Sequence, residues 1–274
     1  MKTLVVLAGG LGRRFGGHKP AAAVGPTAAP LVAYALHDAW LAGFQRAVMV
    51  VHPDHDRTYL ASLAGQFRDR ISLDWVPQQM DRQLPWGTAH ALLASREMVD
   101  GAFMVINADD FYGRESYRLM VDSSWALDNQ STPSFLMAAY RLRGTLPPSG
   151  GSVNRAVAVL AGNRLRQLTE LRVDSDSLLA KNENPLVSMN CWGFTPRIFE
   201  PLAARFDEFR DSAKASDEFM LPAEMTRLVE SFSVEVEVLE TEGIWLGITA
   251  PGDITWVSTQ LTKLHDEGVY PWKL

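Results

Sequence analysis

The chain has 274 residues, 47% of them hydrophobic and 21% charged, with 20 glycines and 15 prolines. That composition suits a folded globular protein and excludes collagen, coiled coil and disorder. Lys and Arg number 26 against 32 Asp and Glu, a net charge of −6, so the overall positive field of a nucleic-acid binder is missing. No apolar run nears the ~18 residues of a membrane span, and one cysteine, Cys191, makes no internal disulfide. Both features fit a cytoplasmic protein.

Residues 3–7 are a short continuous apolar run, expected of a strand covered on both faces. The run ends at Gly9-Gly10 and reads as a buried first strand rather than a signal peptide. Residues 31–42 put Leu31, Tyr34, Ala35, Ala39 and Ala42 at helical spacing, with Gly43 at the stop. Strands are expected at 47–51 and 71–76, around a helix over 54–67 with Asp54 as its cap. A helix over 88–98, a strand over 103–106, a helix over 116–127 and a strand over 134–139 continue the alternation. This pattern predicts an α/β fold with a doubly wound, mostly parallel sheet.

The second half changes character. Leu146-Pro-Pro-Ser-Gly-Gly151 is a loop signal, and apolar stretches at 153–160 and 165–168 around Gly162-Asn163 predict an antiparallel hairpin. A strand over 187–194, helices over 197–209 and 221–231, an alternating strand over 234–239 and a helix over 254–264 follow. No repeat or low-complexity linker divides the chain. One unit over 1–274 is expected, with halves 1–140 and 141–274.

The segment Leu7-Ala-Gly-Gly-Leu-Gly-Arg-Arg-Phe-Gly-Gly-His-Lys-Pro20 follows the first strand directly. Its glycines let backbone N–H groups approach an anion without a Cβ in the way. Arg13, Arg14 and Lys19 add fixed positive charge, and the whole suits a polyphosphate at a strand's carboxyl end. A plain glycine turn with solvated cations is the competing reading. Walker A fails, because Lys19 is followed by Pro20 instead of Ser or Thr. The dinucleotide fingerprint fails as well, since Gly10-x-Gly12 is followed by Phe15 where the third glycine belongs.

Three further segments carry polar chemistry. In Ile106-Asn-Ala-Asp-Asp-Phe-Tyr-Gly113 adjacent side chains of extended backbone point opposite ways, so one of Asp109 and Asp110 faces the crevice. A carboxylate there could hold Mg²⁺ or cap the next turn. In Pro85-Trp-Gly-Thr-Ala-His-Ala91, Gly87 can admit a flat base and the Thr88 hydroxyl can bond its edge. In Ser188-Met-Asn-Cys-Trp-Gly-Phe194, Asn190 could bind hydroxyls and Trp192 could stack on a pyranose, or the strand could simply be core.

Together these segments resemble the sugar-phosphate nucleotidyltransferases, or pyrophosphorylases. Leu7–Gly10, Gly12, Arg14, Lys19 and Pro20 match that family's Leu-Ala-Gly-Gly-x-Gly-x-Arg and Lys-Pro, with a shorter gap before Lys19 than in many members. The resemblance implies a Rossmann-like nucleotide-diphospho-sugar transferase fold with the hairpin in a sugar-phosphate-binding half. It implies that Leu7, Ala8, Gly9, Gly10, Gly12, Arg13, Gly87 and Thr88 bind the nucleotide, with Gln79 a weaker candidate. It also implies that Arg14 and Lys19 are catalytic and that Asp109 binds metal. Asn190, Trp192 and Glu170, in Leu168-Thr-Glu-Leu171, would face the sugar.

One match fails. Many relatives carry Trp-x-Asp-Thr-Gly, and alignment on Trp245 puts Gly247 at the aspartate; Asp253 is the nearest substitute as a second metal ligand, unless it serves the helix N-terminus. The implied reaction is Mg²⁺-dependent nucleotidyl transfer from a nucleoside triphosphate to a sugar 1-phosphate, with neither nucleic acid nor membrane as partner and a homo-oligomer left open. Three rivals remain: a cytidylyl- or guanylyltransferase acting on a non-sugar phosphate, a non-catalytic nucleotide-sugar-binding protein, and a nicotinamide-dependent oxidoreductase.

Overall fold

The structure is a computed structural model that describes residues 1–10, 23–82, 84–127, 132–148, 150–248 and 252–274. Gly12, Arg13, Arg14 and Lys19 lie outside the described residues. The elements in the first half are β1 (Thr3–Ala8), β2 (Ala23–Val24), β3 (Ala29–Pro30), α1 (Leu31–Leu41), β4 (Arg46–Val51), α2 (Arg57–Phe67), β5 (Ser72–Pro77), α3 (Thr88–Ala94), β6 (Phe103–Asn107), β7 (Asp110–Phe111) and α4 (Arg114–Asp122). The chain continues through β8 (Ser134–Arg141), β9 (Val153–Ala161), β10 (Arg164–Val173), β11 (Leu186–Phe194), α5 (Phe199–Ser212), α6 (Leu221–Glu230), β12 (Glu235–Glu240), β13 (Leu246–Gly247) and α7 (Asp253–Asp266).

Nine strands form one sheet in the order β5-β4-β1-β6-β11-β8-β12-β10-β9. All six residues of β1 are buried, and they alternate between two cores. Leu4, Val6 and Ala8 face one cluster, supplied by α1, α2, α4 and α7. Val5 and Leu7 face the other, supplied by α3, α5 and α6. A strand apolar at every position is what two covered faces demand.

The expectation of a mostly parallel sheet needs correction. Parallel pairing holds through β5, β4, β1 and β6 and again between β8 and β12. Strand β11 runs antiparallel to β6, β8 and β9, and β10 runs antiparallel to β9 and β12. The sheet is mixed because β11 enters it reversed against β6, directly beside the central strands.

Two local expectations also shift. The cap of α2 is Asp56, whose carboxylate accepts from Thr58 N–H at 2.8 Å, while Asp54 lies in the preceding turn. The helix expected over 88–98 stops at Ala94 and continues as the 3₁₀ turn Arg96–Met98. Near the C-terminus, the Tyr270 hydroxyl donates to Asp38 Oδ2 at 2.5 Å and Arg114 Nη2 donates to Val269 O at 2.7 Å. Burial pushes the Asp38 carboxyl up to about 7, opposed by the hydrogen bond from Tyr270 and by Arg114.

Candidate active site

The chain leaves β1 toward β4 and β5 on one side and returns to its other flank as β6, which opens a crevice beyond the carboxyl ends of β1 and β6. A cavity of about 450 Å³ occupies it, lined among others by Leu7, Gly9, Gly10, Gln78, Gly87, Thr88, Asn107 and Asp109. The described end of the glycine bend, the Gly87-Thr88 turn and Asp109 therefore share one chamber. Ala8, at the end of β1, is buried in the core.

The wall around Gly87 is built from two distant segments. Gly87 has φ +113°, and a Cβ there would lie 2.6 Å from Phe219 O, so only glycine lets the backbones pass. Phe219 N donates to Trp86 O at 2.5 Å and Ala89 N donates to Phe219 O at 3.0 Å. Thr88 Oγ1 accepts from Leu221 N–H at 2.9 Å, so this hydroxyl helps start α6. Arg82 lies over the Trp86 ring at 3.7 Å and donates to Leu84 O, Pro85 O and Asp217 O at 3.0, 3.1 and 2.7 Å. Glu218 and Met220 join the lining as a result.

Asp109 faces the cavity, and Asp110 turns into the fold. Asp110 Oδ2 accepts from Asn107 Nδ2 at 2.9 Å. Asn107 Oδ1 in turn accepts from Asn190 Nδ2 at 2.7 Å, and Asn190 Oδ1 accepts from Trp192 Nε1 at 2.9 Å. Asn190 reaches across because β11 is bulged there, with φ +63° and a register shift between Ser188 and Cys191. Asparagine tolerates that left-handed backbone better than most residues.

These contacts correct the reading of the β11 strand. Trp192 is fully buried in the second core and stacks on Phe194 at 5.8 Å, so no face is open to a pyranose. Asn190 supports the cavity wall through Asn107. Glu170 is exposed on the hairpin and accepts from Asn154 Nδ2 at 2.6 Å; it does not line the main cavity.

A second, much smaller cleft of about 10 Å³ adjoins Thr145, Arg155, Trp245, Gly247, Asp253 and Trp256. Asp253 is the first residue of α7 and lines this cleft, not the one lined by Asp109. Arg155 is 8% exposed. Its Nε donates to Thr145 Oγ1 at 3.1 Å and its Nη1 to Asn154 O at 2.8 Å, with a further bond from Nη2 to Thr145 O. Its guanidinium sits 5.1 Å from the Trp245 ring. Burial lowers the Arg155 pKa, and Asp110 and Asp253 oppose that shift. At Gly247 a Cβ would meet Trp245 ring carbons at 2.3 Å and Asp110 Oδ1 at 2.9 Å. The aspartate of the expected pattern is thus sterically excluded while Trp245 and Asp110 keep these positions.

Sequence reasoning missed Gln78, Asn107 and Arg155. Gln78, not Gln79, lines the main cavity, while Gln79 lines a groove on the outer side of His90. The alternation of β9 could have flagged Arg155, whose position in that strand is buried. Asn107 ends β6 directly before the aspartate pair.

Hard oxygen donors suit Mg²⁺, which takes one or two carboxylates and completes its shell with water and phosphate oxygens. The Asp109 carboxylate at the cavity wall meets that requirement. Among the described residues no group of three or more His, Cys, Asp or Glu forms a closed metal cage. Among them, too, no helix is long and apolar enough to cross a membrane.

Several solved structures share this fold. The inositol-1-phosphate CTP transferase from T. maritima superposes with a TM-score of 0.69 at 16% identity, over 98% of each chain. A UDP-glucose pyrophosphorylase solved with UDP-glucose gives 0.66 at 17% identity, over 96% of this chain and 99% of that one. HddC from Yersinia pseudotuberculosis, complexed with GMP-PN, gives 0.65 at 16% identity, over 95% and 99%. No curated protein matches the sequence. The family profile of the MobA-like NTP transferase domain matches residues 4–143. That match spans more than half of the chain and takes in β1, the Gly87-Thr88 turn and Asp109; the chain belongs to the MobA-like NTP transferase family and is a nucleotidyltransferase.

Proposed function

We propose that the enzyme transfers a nucleotidyl group from a nucleoside triphosphate to a sugar 1-phosphate and releases pyrophosphate, with Mg²⁺ as cofactor. The observation that carries this reading is the shared cavity of Gly9, Gly10, Gly87, Thr88 and Asp109. On this reading the backbone of Leu7–Gly10 and Gly12 cradles phosphate, Gly87 and Thr88 border the base, and Arg13, Arg14 and Lys19 neutralise the triphosphate. Arg14 and Lys19 hold the charge that builds on the leaving oxygens as a sugar phosphate oxygen attacks the α-phosphorus in line.

When bound at Asp109, Mg²⁺ supplies charge neutralisation across the phosphate oxygens. Asp253, which lines the separate small cleft, is the candidate second metal ligand and would reach the ion through water. Positioning and electrostatics carry the step, so the chain needs no covalent nucleophile. Glycines matter here because they bring amide donors to the phosphates without displacing the base.

The burial of Trp192 favours keeping a second acceptor class open, a non-sugar alcohol phosphate, since the expected stacking surface is gone. A panel of triphosphates against sugar 1-phosphates and other alcohol phosphates, read as Mg²⁺-dependent pyrophosphate release, decides between them. Absence of release with every acceptor in the panel, in a protein that binds triphosphate, refutes the transfer reading and favours a nucleotide-binding role without turnover.

A further inference from the structure

Arg155 is buried in strand β9 of the hairpin and lines the small cleft, not the main cavity. A guanidinium donates through all three of its nitrogens, and each of them here meets an oxygen. Nε donates to Thr145 Oγ1 at 3.1 Å, Nη1 to Asn154 O at 2.8 Å, and Nη2 to Thr145 O. The Thr145 hydroxyl is itself buried and donates to Leu142 O at 2.9 Å, so this acceptor is fixed in place. Opposite charge comes from Asp253, which lines the same cleft, and from Asp110, whose Oδ1 lies against Gly247 on the cleft wall. The Trp245 ring covers the guanidinium at 5.1 Å.

A neutral side chain could tie down the Thr145 turn with hydrogen bonds alone. The full positive charge answers the two carboxylates, because a buried ion is costly unless opposite charge surrounds it. Every polar partner of Arg155 is an oxygen: one hydroxyl, two carbonyls and two carboxylates. Hard divalent cations take the same kinds of donor, with water completing the shell. The guanidinium thus fills a place whose chemistry also suits a metal ion.

We propose that Arg155 is a built-in counter-cation, a positioning residue that fills the oxygen-lined small cleft so that this cleft takes up no divalent ion of its own. Asp253 is held on the cleft side by that charge, which leaves it only a water-mediated route to an ion at Asp109. The enzyme then works with the single ion proposed for Asp109, and that count alone rests on the metal reading given above.

Mn²⁺, a stand-in for Mg²⁺ that electron paramagnetic resonance can count, tests this on the full chain without nucleotide. At equal free Mn²⁺, Arg155→Ala should take up about one ion more than the wild-type protein. The extra ion should persist when Asp109→Asn is added to Arg155→Ala, because it sits in the small cleft. Arg155→Lys keeps the charge and should gain no ion. Low millimolar guanidinium should weaken the extra Mn²⁺ about threefold or more and raise the melting temperature of Arg155→Ala, while sodium chloride does neither.

A merely structural Arg155 would lower the melting temperature of Arg155→Ala with no gain of Mn²⁺ and no response to guanidinium. That result, or an extra ion in Arg155→Lys, overturns the proposal. If Arg155→Ala is unfolded by itself, Mn²⁺ or guanidinium should restore the fold, and failure of both overturns the proposal as well. Metal-dependent pyrophosphate release that survives Asp109→Asn defeats the assignment of the ion to Asp109 and leaves the role of Arg155 standing.

Discussion

The main cavity and the small cleft are built by different means. In the main cavity much of the wall is backbone and amide: Gly9, Gly10 and Gly87 offer no side chain, the Gln78 amide is fixed by its neighbours, and Asp109 and Glu218 are its carboxylates. The small cleft is organised by a buried cation, Arg155, beside the aromatic face of Trp245 and the carboxylates of Asp110 and Asp253. The first arrangement fixes shape around its glycines with uncharged groups. The second sets one charge against others in a place with little water, where removing one partner costs more than the pair contributes. Changes at the glycines of the main cavity should therefore act through fit, and changes at Asp109 or Arg155 through electrostatics.

The largest expected effects test whether one cavity serves both substrates. Asp109→Ala and, separately, Lys19→Ala should each lower kcat by about 10²–10³-fold, the scale of a lost charge-stabilising group, with an unchanged circular dichroism spectrum. Wild-type turnover in either folded variant removes that residue from the site. Next comes Arg155→Met, which should destabilise the fold by about 3 kcal/mol because Asp110 and Asp253 lose their buried counter-charge. Urea unfolding measures this, and a loss under about 1 kcal/mol would show that the hydrogen bonds to the Thr145 turn, not the charge, are what Arg155 contributes.

Gly87→Ala should cost about 2 kcal/mol from a positive φ and a clash with Phe219 O, and should raise KM for the triphosphate more than for the acceptor. Equal effects on both KM values would break the proposed assignment of Gly87 to the triphosphate. The mildest expectation lies outside the crevice. Asp38 has a folded pKa raised to about 7 from 3.8. The folded state therefore binds the extra proton between those values, and stability should fall as pH rises from about 4 to about 7, then level off. Asp38→Asn should flatten that slope in thermal melts across the range.

How much of this was legible in the sequence differs from one part of the molecule to another. Glycines at 9, 10 and 87 and the aspartate pair after β6 were readable because backbone approach and strand-end carboxylates leave compositional marks. Alternation along extended backbone said only that one of Asp109 and Asp110 faces the crevice; the family resemblance pointed to Asp109, which in the structure lies in a turn. Trp192 was not readable, because an aromatic strand residue looks alike whether it meets a ligand or a core. Its burial follows from two covered faces on β11, with Cys191 in one core and Trp192 in the other. Reversal of β11 was hidden for a similar reason, since strand direction is a tertiary outcome with no periodicity of its own. Gln78 was missed in favour of Gln79 because a one-residue choice at the end of β5 decides which amide enters the cavity and which the outer groove.

Trp86, Gly87 and Thr88 all close on Phe219–Leu221, more than a hundred positions further along. Those stretches must therefore be inherited as a matched set. A chimaera that borrows the Pro85–Thr88 turn from a relative without its partner segment should lose this wall of the main cavity even though every grafted residue suits the turn. Efforts to retune the enzyme toward another triphosphate would do better to randomise both stretches in one library than either in isolation.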